Sequence, residues 1–244
     1  MNFKTPGIVI KQINFGEADR ILTILTERFG KIKAIAKGVR KIRSHMGGSL
    51  ELFMLTDLQL HEGKTFYIVT GALICQDFPR LHSDLQKTAK AFFLGELVDK
   101  FLEERQKADE VYDLFCSALE EVDEGLPGPL IQAFELKIIE ASGFKPELHD
   151  CVHCKKKIVA GNNFWDKNEG GVICDECNQA FHHGHPISDQ TIKLLRFILD
   201  NKSKTIAKLK LKVEIESETD KVLSEYIESV LERKLKSKDF MDMI

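Results

Sequence analysis

The chain has no long apolar run. In 244 residues, no stretch approaches the ~20 consecutive apolar side chains that a helix needs to cross a bilayer. The opening Met1-Asn2-Phe3-Lys4-Thr5-Pro6-Gly7 lacks the apolar core of a signal peptide, so neither export nor a membrane span is expected. Phosphate-cradling and hydrolase signatures are missing too: there is no G-x-x-x-x-G-K-[ST], G-x-G-x-x-G or G-x-S-x-G. Nucleotide-driven and hydrolytic chemistry therefore have no sequence support. There is no internal repeat and no low-complexity linker. Net charge is only −3, which does not announce a polyanion partner. What remains is an ordinary soluble composition, 43% hydrophobic and 30% charged, long enough for one large domain or two to three small ones.

Cysteine is scarce as well, at six, but four of the six are ordered. Cys151-Val152-His153-Cys154 and Cys174-Asp175-Glu176-Cys177 are two C-x-x-C knuckles separated by nineteen residues. A tetrahedral Zn²⁺ needs four soft or borderline donors, and two such knuckles supply four thiolates from two short turns. One structural zinc on Cys151, Cys154, Cys174 and Cys177 is the expectation; four unrelated thiols or two disulfides are the alternative. A site closed by four sulfurs builds structure and leaves no position for an activated water. His149, His153, His182, His183 and His185 flank the knuckles, and any of them can replace a cysteine or support one from behind. Reduced, metal-ligating cysteines fit a cytosolic setting. Cys75 and Cys116 stand alone in apolar stretches and read as small buried hydrophobes.

Charge is unevenly placed. Residues 1–45 carry ten basic side chains against three acids, whereas residues 103–124 carry nine acids against Arg105 and Lys107. This asymmetry divides the labour: an N-terminal part faces a polyanion and a middle part does not.

Periodicity places these segments on elements. The runs 7–11, 20–26, 31–37, 52–60 and 65–70 read as short strands, punctuated by Phe29-Gly30, Gly47-Gly48 and Glu62-Gly63-Lys64. Five short strands without a helix-length pattern predict a small closed barrel over residues 1–80. Helical spacing follows, in Phe93, Leu94, Leu97, Val98, Phe101 and Leu102, then around Val111–Leu119. A third helix starts at Leu126-Pro127-Gly128-Pro129 and stops at Gly143 and Pro146. Ser188 is an N-cap candidate, and residues 222–231 make a final amphipathic helix. The expected division is a barrel at 1–80, a helical domain at 81–147 and 181–244, and a four-cysteine module inserted at 148–180. The tail Lys234–Lys238 reads as a frayed, solvated end.

Within the third strand, Lys31, Lys33 and Lys37 share one parity, opposite Ile32, Ala34 and Ala36. Arg40, Lys41 and Arg43 follow in a loop. One reading is a solvated face. The other is a groove that tracks phosphates, with affinity falling steeply in salt. Phe15, Phe29 and Phe66 are candidate stacking platforms, although an isolated Phe packs inside by default. Glu17 and Asp19 sit beside Arg20, where turn capping or local pairing is the ordinary role.

The segments Gly7-Ile8-Val9-Ile10, Phe15-Gly16-Glu17-Ala18-Asp19-Arg20-Ile21, Phe29-Gly30-Lys31-Ile32 and Ala34-Ile35-Ala36-Lys37-Gly38-Val39-Arg40, with helices enclosing two knuckles, resemble the bacterial RecO family of recombination mediators. One departure is Leu50-Glu51-Leu52-Phe53, where the family pattern has Leu-Glu-Pro-Phe. The resemblance implies an α+β multidomain chain: an N-terminal five-stranded OB barrel, then a helical domain with an inserted four-cysteine zinc module. It implies a non-enzymatic, cytoplasmic, nucleoid-associated protein. Such a protein binds single- and double-stranded DNA, anneals complementary strands, and interacts with RecR and with the acidic C-terminal tail of the single-strand DNA-binding protein SSB. It thereby helps to load RecA. Arg20, Arg28, Lys31, Lys33, Lys37, Arg40, Lys41 and Arg43 would neutralise the DNA backbones, and helix-borne lysines such as Lys137 would meet the acids of the SSB tail. Two rivals remain: a zinc-ribbon protein-interaction adaptor without intrinsic DNA binding, and a metal-dependent nuclease using Glu17, Asp19 and the histidines after the second knuckle.

Overall fold

A computed structural model describes residues 2–107, 109–125, 129–181 and 184–243. They form two compact units, residues 1–126 with 236–244 and residues 127–235.

The first unit is built on strands β1 (Asn2–Phe15), β2 (Asp19–Thr26), β3 (Gly30–Ala36), β4 (Leu55–His61) and β5 (Tyr67–Gln76). They close into a barrel in the order β1-β2-β3-β5-β4, with β1 pairing with both β2 and β4 and only β3–β5 parallel. This is the OB barrel. Strict alternation explains it: Ile32, Ala34 and Ala36 of β3 point in with Leu22 and Ile24 of β2 and Leu58 and Leu60 of β4, all fully buried. Strand β1 runs well beyond the apolar residues 7–11. A bulge between Val9 and Lys11 breaks its period and lets one strand serve two neighbours. The β2–β3 turn closes on Gly30 at φ 62, where a Cβ would overlap the Gln106 carbonyl, so this position requires glycine.

Helices α1 (Pro79–Ser83), α2 (Leu85–Phe101) and α3 (Asp109–Glu124) belong to the same unit as the barrel. Asp84 caps α2, its carboxylate accepting from the backbone N–H groups of Gln86 and Lys87. The buried stripe of α2 includes Phe93, Leu94, Leu97, Val98 and Phe101, as its spacing predicts.

The second unit contains α4 (Leu130–Ala141), β6 (Asn163–Asp166), β7 (Gly171–Cys174), α5 (Asp175–Phe181), β8 (His185–Ile187), α6 (Asp189–Asp200), α7 (Ser203–Ile206) and α8 (Val213–Leu231). Leu126, Pro127 and Gly128 lie outside the described residues; the helix after them begins at Leu130, behind Pro129. Ser188 does cap α6, accepting from the Thr191 N–H, and Glu218 of α8 takes the Ser188 and Thr191 hydroxyls and the Ser188 N–H. Strands β7-β6-β8 form a small sheet, and its Trp165 packs on Tyr226 of α8.

The tail corrects an expectation. Leu235 is buried, and α9 (Lys236–Asp242) packs on α2, where Ser237 donates its N–H and hydroxyl to Glu96 and Lys238 lies over the Phe93 ring. These hydrogen bonds and the cation over the ring keep this charged end from fraying.

Candidate nucleic-acid interface and metal centre

The register of the barrel assigns its outer face. Lys11, Thr23 and Lys33 form one row across β1, β2 and β3; Ile13, Ile21 and Ile35 form the next. Phe15 opposite Asp19 begins a third, which β3 continues toward Lys37. Lysines therefore alternate with apolar and aromatic side chains on one sheet surface, the surface that OB barrels offer to single strands.

The two ends of this face differ. At one end, Lys31 is largely buried, donates to the Asp99 carbonyl at 2.7 Å and lies 4.0 Å from the Asp99 carboxylate. Lys11 pairs with the same carboxylate at 2.9 Å, and Lys33 reaches Glu104 at 3.5 Å. Burial lowers the pKa of Lys31 despite the attraction of Asp99. Burial would raise the Asp99 carboxyl, but Lys11 and Lys31 hold it below its ordinary value. Three lysines at this end are thus answered by two acids of the same unit.

The other end is open. The β1–β2 turn and the loop after β3 are locked together: the Gly38 N–H donates to the Asp19 carboxylate at 2.7 Å, the Arg40 N–H to the Ala18 carbonyl at 2.9 Å, and the Arg40 guanidinium to the Gly16 carbonyl at 3.4 Å. Asp19 thus holds a loop in place. From this paired base Lys37, Arg40, Lys41 and Arg43 stand exposed. Phe15 is 52% exposed beside them, against the expectation that it packs inside. Phe29 instead packs on Phe3, at 4.5 Å between ring centroids, and Phe66 is half-buried.

Two other expected cations stand apart. Arg28 is exposed in the β2–β3 turn, at the far end of β3 from Lys37 and about 20 Å away by strand rise. Arg20 points with the opposite parity and pairs with Glu51 at 3.1 Å, where Gln12 also donates. Lys11 and Ile13 belong to the face but lie outside the basic stretch that sequence reading emphasises; the period of two through Lys11, Ile13 and Phe15 is the signal for them. Lys137 is corrected: it is buried on α4, donating to the Leu199 carbonyl at 2.7 Å and pairing with Glu140, so it is not offered to a partner. Cys75 is corrected as well, being exposed on β5. Cys116 is half-buried, and burial pushes its thiol up to about 12.

The knuckles of the second unit converge. The four Sγ atoms of Cys151, Cys154, Cys174 and Cys177 lie within 4.8 Å of one another, and among the described residues no histidine joins them. His182 and His183 fall outside the described residues. His153 lies instead 3.8 Å from Asp166. The Cys154–Cys174 sulfur separation is 3.7 Å. A disulfide needs about 2.05 Å, whereas the edge of a tetrahedron with about 2.3 Å metal–sulfur bonds is about 3.8 Å. Local structure sets this geometry: the Cys151 N–H donates to the Lys156 carbonyl, the Lys155 N–H returns to the Cys151 carbonyl, and Cys177 sits in the first turn of α5. Burial pushes the Cys151 thiol up, but the N–H groups of Cys174, Cys154 and His153 outweigh it and bring it to about 6. Burial and the neighbouring thiols push Cys177 up to about 12 and Cys174 upward. Cys151 thus ionises readily while Cys174 and Cys177 resist, as expected of thiols sharing a space that a divalent cation would neutralise. The donor set fits a closed four-sulfur ion.

Family models agree with this architecture. Residues 1–78 match the N-terminal model of recombination protein O, and residues 82–239 match its C-terminal model. The chain belongs to the RecO family. It is 38% identical over 244 residues to the DNA repair protein RecO of Dehalococcoides mccartyi strain 195, covering all of this chain and 96% of that one. It is 34% identical over 247 residues to DNA repair protein RecO of Symbiobacterium thermophilum, covering 99% and 97%, and 31% identical over 241 residues to that of Roseiflexus sp. RS-1, covering 98% and 85%. This member of the RecO family therefore carries an open cationic end on its barrel and a cysteine cluster in its second unit. No helix among its described residues is long and apolar enough to cross a membrane.

Proposed function

We propose that this chain binds single- and double-stranded DNA through the open end of its barrel face and anneals complementary strands. With RecR, and through the acidic tail of SSB, it then helps RecA onto covered single strands. The observation that carries this is the locked loop pair, which presents Lys37, Arg40, Lys41 and Arg43 beside exposed Phe15. Cations neutralise phosphates and release counterions, an aromatic ring stacks on a base, and neither reads sequence. Base pairing between the strands supplies the specificity. Arg20, Arg28, Lys31 and Lys33 take the secondary part, because ion pairs or distance hold them from the loop cluster. The chemistry is non-enzymatic and needs no nucleotide.

In the second unit, Cys151, Cys154, Cys174 and Cys177 would hold one structural Zn²⁺. The working division by role is a DNA-binding barrel at 1–80, helical segments at 81–147 and 181–244, and a zinc module at 148–180, with helices α1–α3 and α9 packed in the unit of the barrel. The protein acts in the cytoplasm, at the nucleoid.

The test is anisotropy of a labelled single-stranded oligonucleotide across a salt series, with Lys37, Arg40, Lys41 and Arg43 changed to Glu in parallel. Binding that weakens with salt and collapses in the variant is expected. Salt-insensitive or negligible binding by the unaltered chain would favour a protein-interaction adaptor instead.

A further inference from the structure

The second unit carries its own cationic strip. Between Asn201 and Val213 there are five lysines, Lys202, Lys204, Lys208, Lys210 and Lys212, and no acid. All five are exposed. A charged run on an ordinary solvated surface mixes signs and pairs them at i, i+4. Here none of the five lysines makes an ion pair with a described residue, although Glu214 and Glu216 begin α8 immediately afterwards.

The strip is anchored. Ile206 is fully buried at its centre, and the Ala207 N–H donates to Ser203 at 2.8 Å and the Leu209 N–H to Ile206 at 2.9 Å. From Lys208 to Lys212 exposure alternates, with Leu209 and Leu211 half-buried between the three lysines. Half-buried leucines thus alternate with exposed lysines just after the turn that closes α7, and two residues of chain span at most about 7 Å between successive charges. That spacing is of the order of the step between phosphates along an extended strand.

We propose that residues 202–212 form a second phosphate-backbone site, which holds a nucleic-acid strand independently of the barrel. The all-lysine composition favours phosphates over a carboxylate tail. Lysine is a compact point charge suited to sequence-blind neutralisation, whereas planar, bidentate carboxylate recognition selects arginine, and the strip has none. The inference rests on the reading that the barrel holds one strand. It adds where the second strand of an annealing pair is held.

The experiment uses the full, metal-loaded chain with Lys204, Lys208, Lys210 and Lys212 changed to Glu, and a second variant with the same four changed to Gln as a test of folding. Two quantities are read: anisotropy of one labelled strand, and the rate at which two complementary labelled strands anneal by energy transfer. The expected result is single-strand affinity within about threefold of the unaltered chain, annealing slowed about tenfold or more in the Glu variant and less in the Gln variant, and an annealing rate that loses part of its salt dependence. Unchanged annealing in a folded Glu variant overturns the proposal. So does loss of single-strand binding equal to that of the barrel variant, which would make the strip part of one track. If instead a labelled oligoglutamate peptide loses binding while annealing is kept, the strip serves a protein tail and the proposal fails. Should the barrel variant keep its DNA while the strip variant loses it, the barrel reading falls and the strip becomes the primary site.

Discussion

Trp165 meets Tyr226 edge to face, with ring centroids 5.4 Å apart and 85° between the planes. The contact joins the cysteine-bearing sheet to α8. Tyr226 also donates its hydroxyl to the Phe144 carbonyl at 2.8 Å, and its ring fills the space beside Gly170, which at φ 67 has no room for a side chain. Trp165→Ala is expected to cost about 3–5 kcal/mol, and Tyr226→Phe about 0.5–1.5 kcal/mol for the missing hydrogen bond. Urea unfolding followed by circular dichroism measures both; equal costs would mean that the hydroxyl, not the ring, secures the module.

Trp165 is the only tryptophan and is 1% exposed, so its emission reports on the module alone. With zinc at the four cysteines, a chelator is expected to shift that emission to the red as the module loosens, and equimolar zinc to restore it. Emission blind to chelation, or metal analysis far from one zinc per chain, would contradict the assigned ligand set.

Phe15→Ala is expected to weaken single-strand binding by about 1–3 kcal/mol if a base stacks there, while leaving the salt slope as it was. Changing Arg40 and Lys41 to Glu should do the reverse, flattening the slope by about 0.7 for each phosphate that is no longer neutralised. Parallel salt series on the two variants separate stacking from charge.

Asp99 answers both Lys11 and Lys31. Asp99→Ala is expected to destabilise the first unit by about 1–3 kcal/mol, since it leaves Lys31 largely buried beside another cation, and at the same time to tighten DNA binding by freeing charge on the barrel face. Thermal melting and anisotropy on one preparation test the opposed signs. Weaker binding in the folded variant would show that the paired lysines do not face DNA.

Burial would raise the Glu218 carboxyl, but the Ser188 and Thr191 donors outweigh it and hold it below its ordinary 4.5. A carboxyl depressed in the folded state contributes stability that is present above its unfolded pKa and lost as pH falls through the folded value. Glu218→Gln is therefore expected to lower stability at neutral pH and to narrow the gap from the unaltered chain as pH drops below 4.5. A constant gap across that range would exclude the titration.

The barrel and its helices are legible where the period is clean: β3 alternates residue by residue, and the α2 stripe is visible in Phe93 through Phe101. The full length of β1 is not, because its bulge shifts the alternation. Periodicity also says that a helix face is buried without saying against what, so the union of α1–α3 with the barrel is silent in the sequence. The same limit governs the site. Parity places Lys31 and Lys33 on the outer face, but their acids at 99 and 104 are distant in sequence and reach them only through the fold. The cysteine spacing foretells the cluster. That no described histidine enters it is a matter of geometry.

Helix α9 has a consequence for the order of assembly. The last residues of the chain complete the unit that the first residues begin, through Ser237 on Glu96 and Lys238 over Phe93. On the ribosome, the barrel emerges early, yet its α2 surface waits, bare, while the whole second unit is made. A chain stalled before residue 236 would leave Glu96 and Phe93 without these partners, and a stop there would harm the unit that holds the barrel.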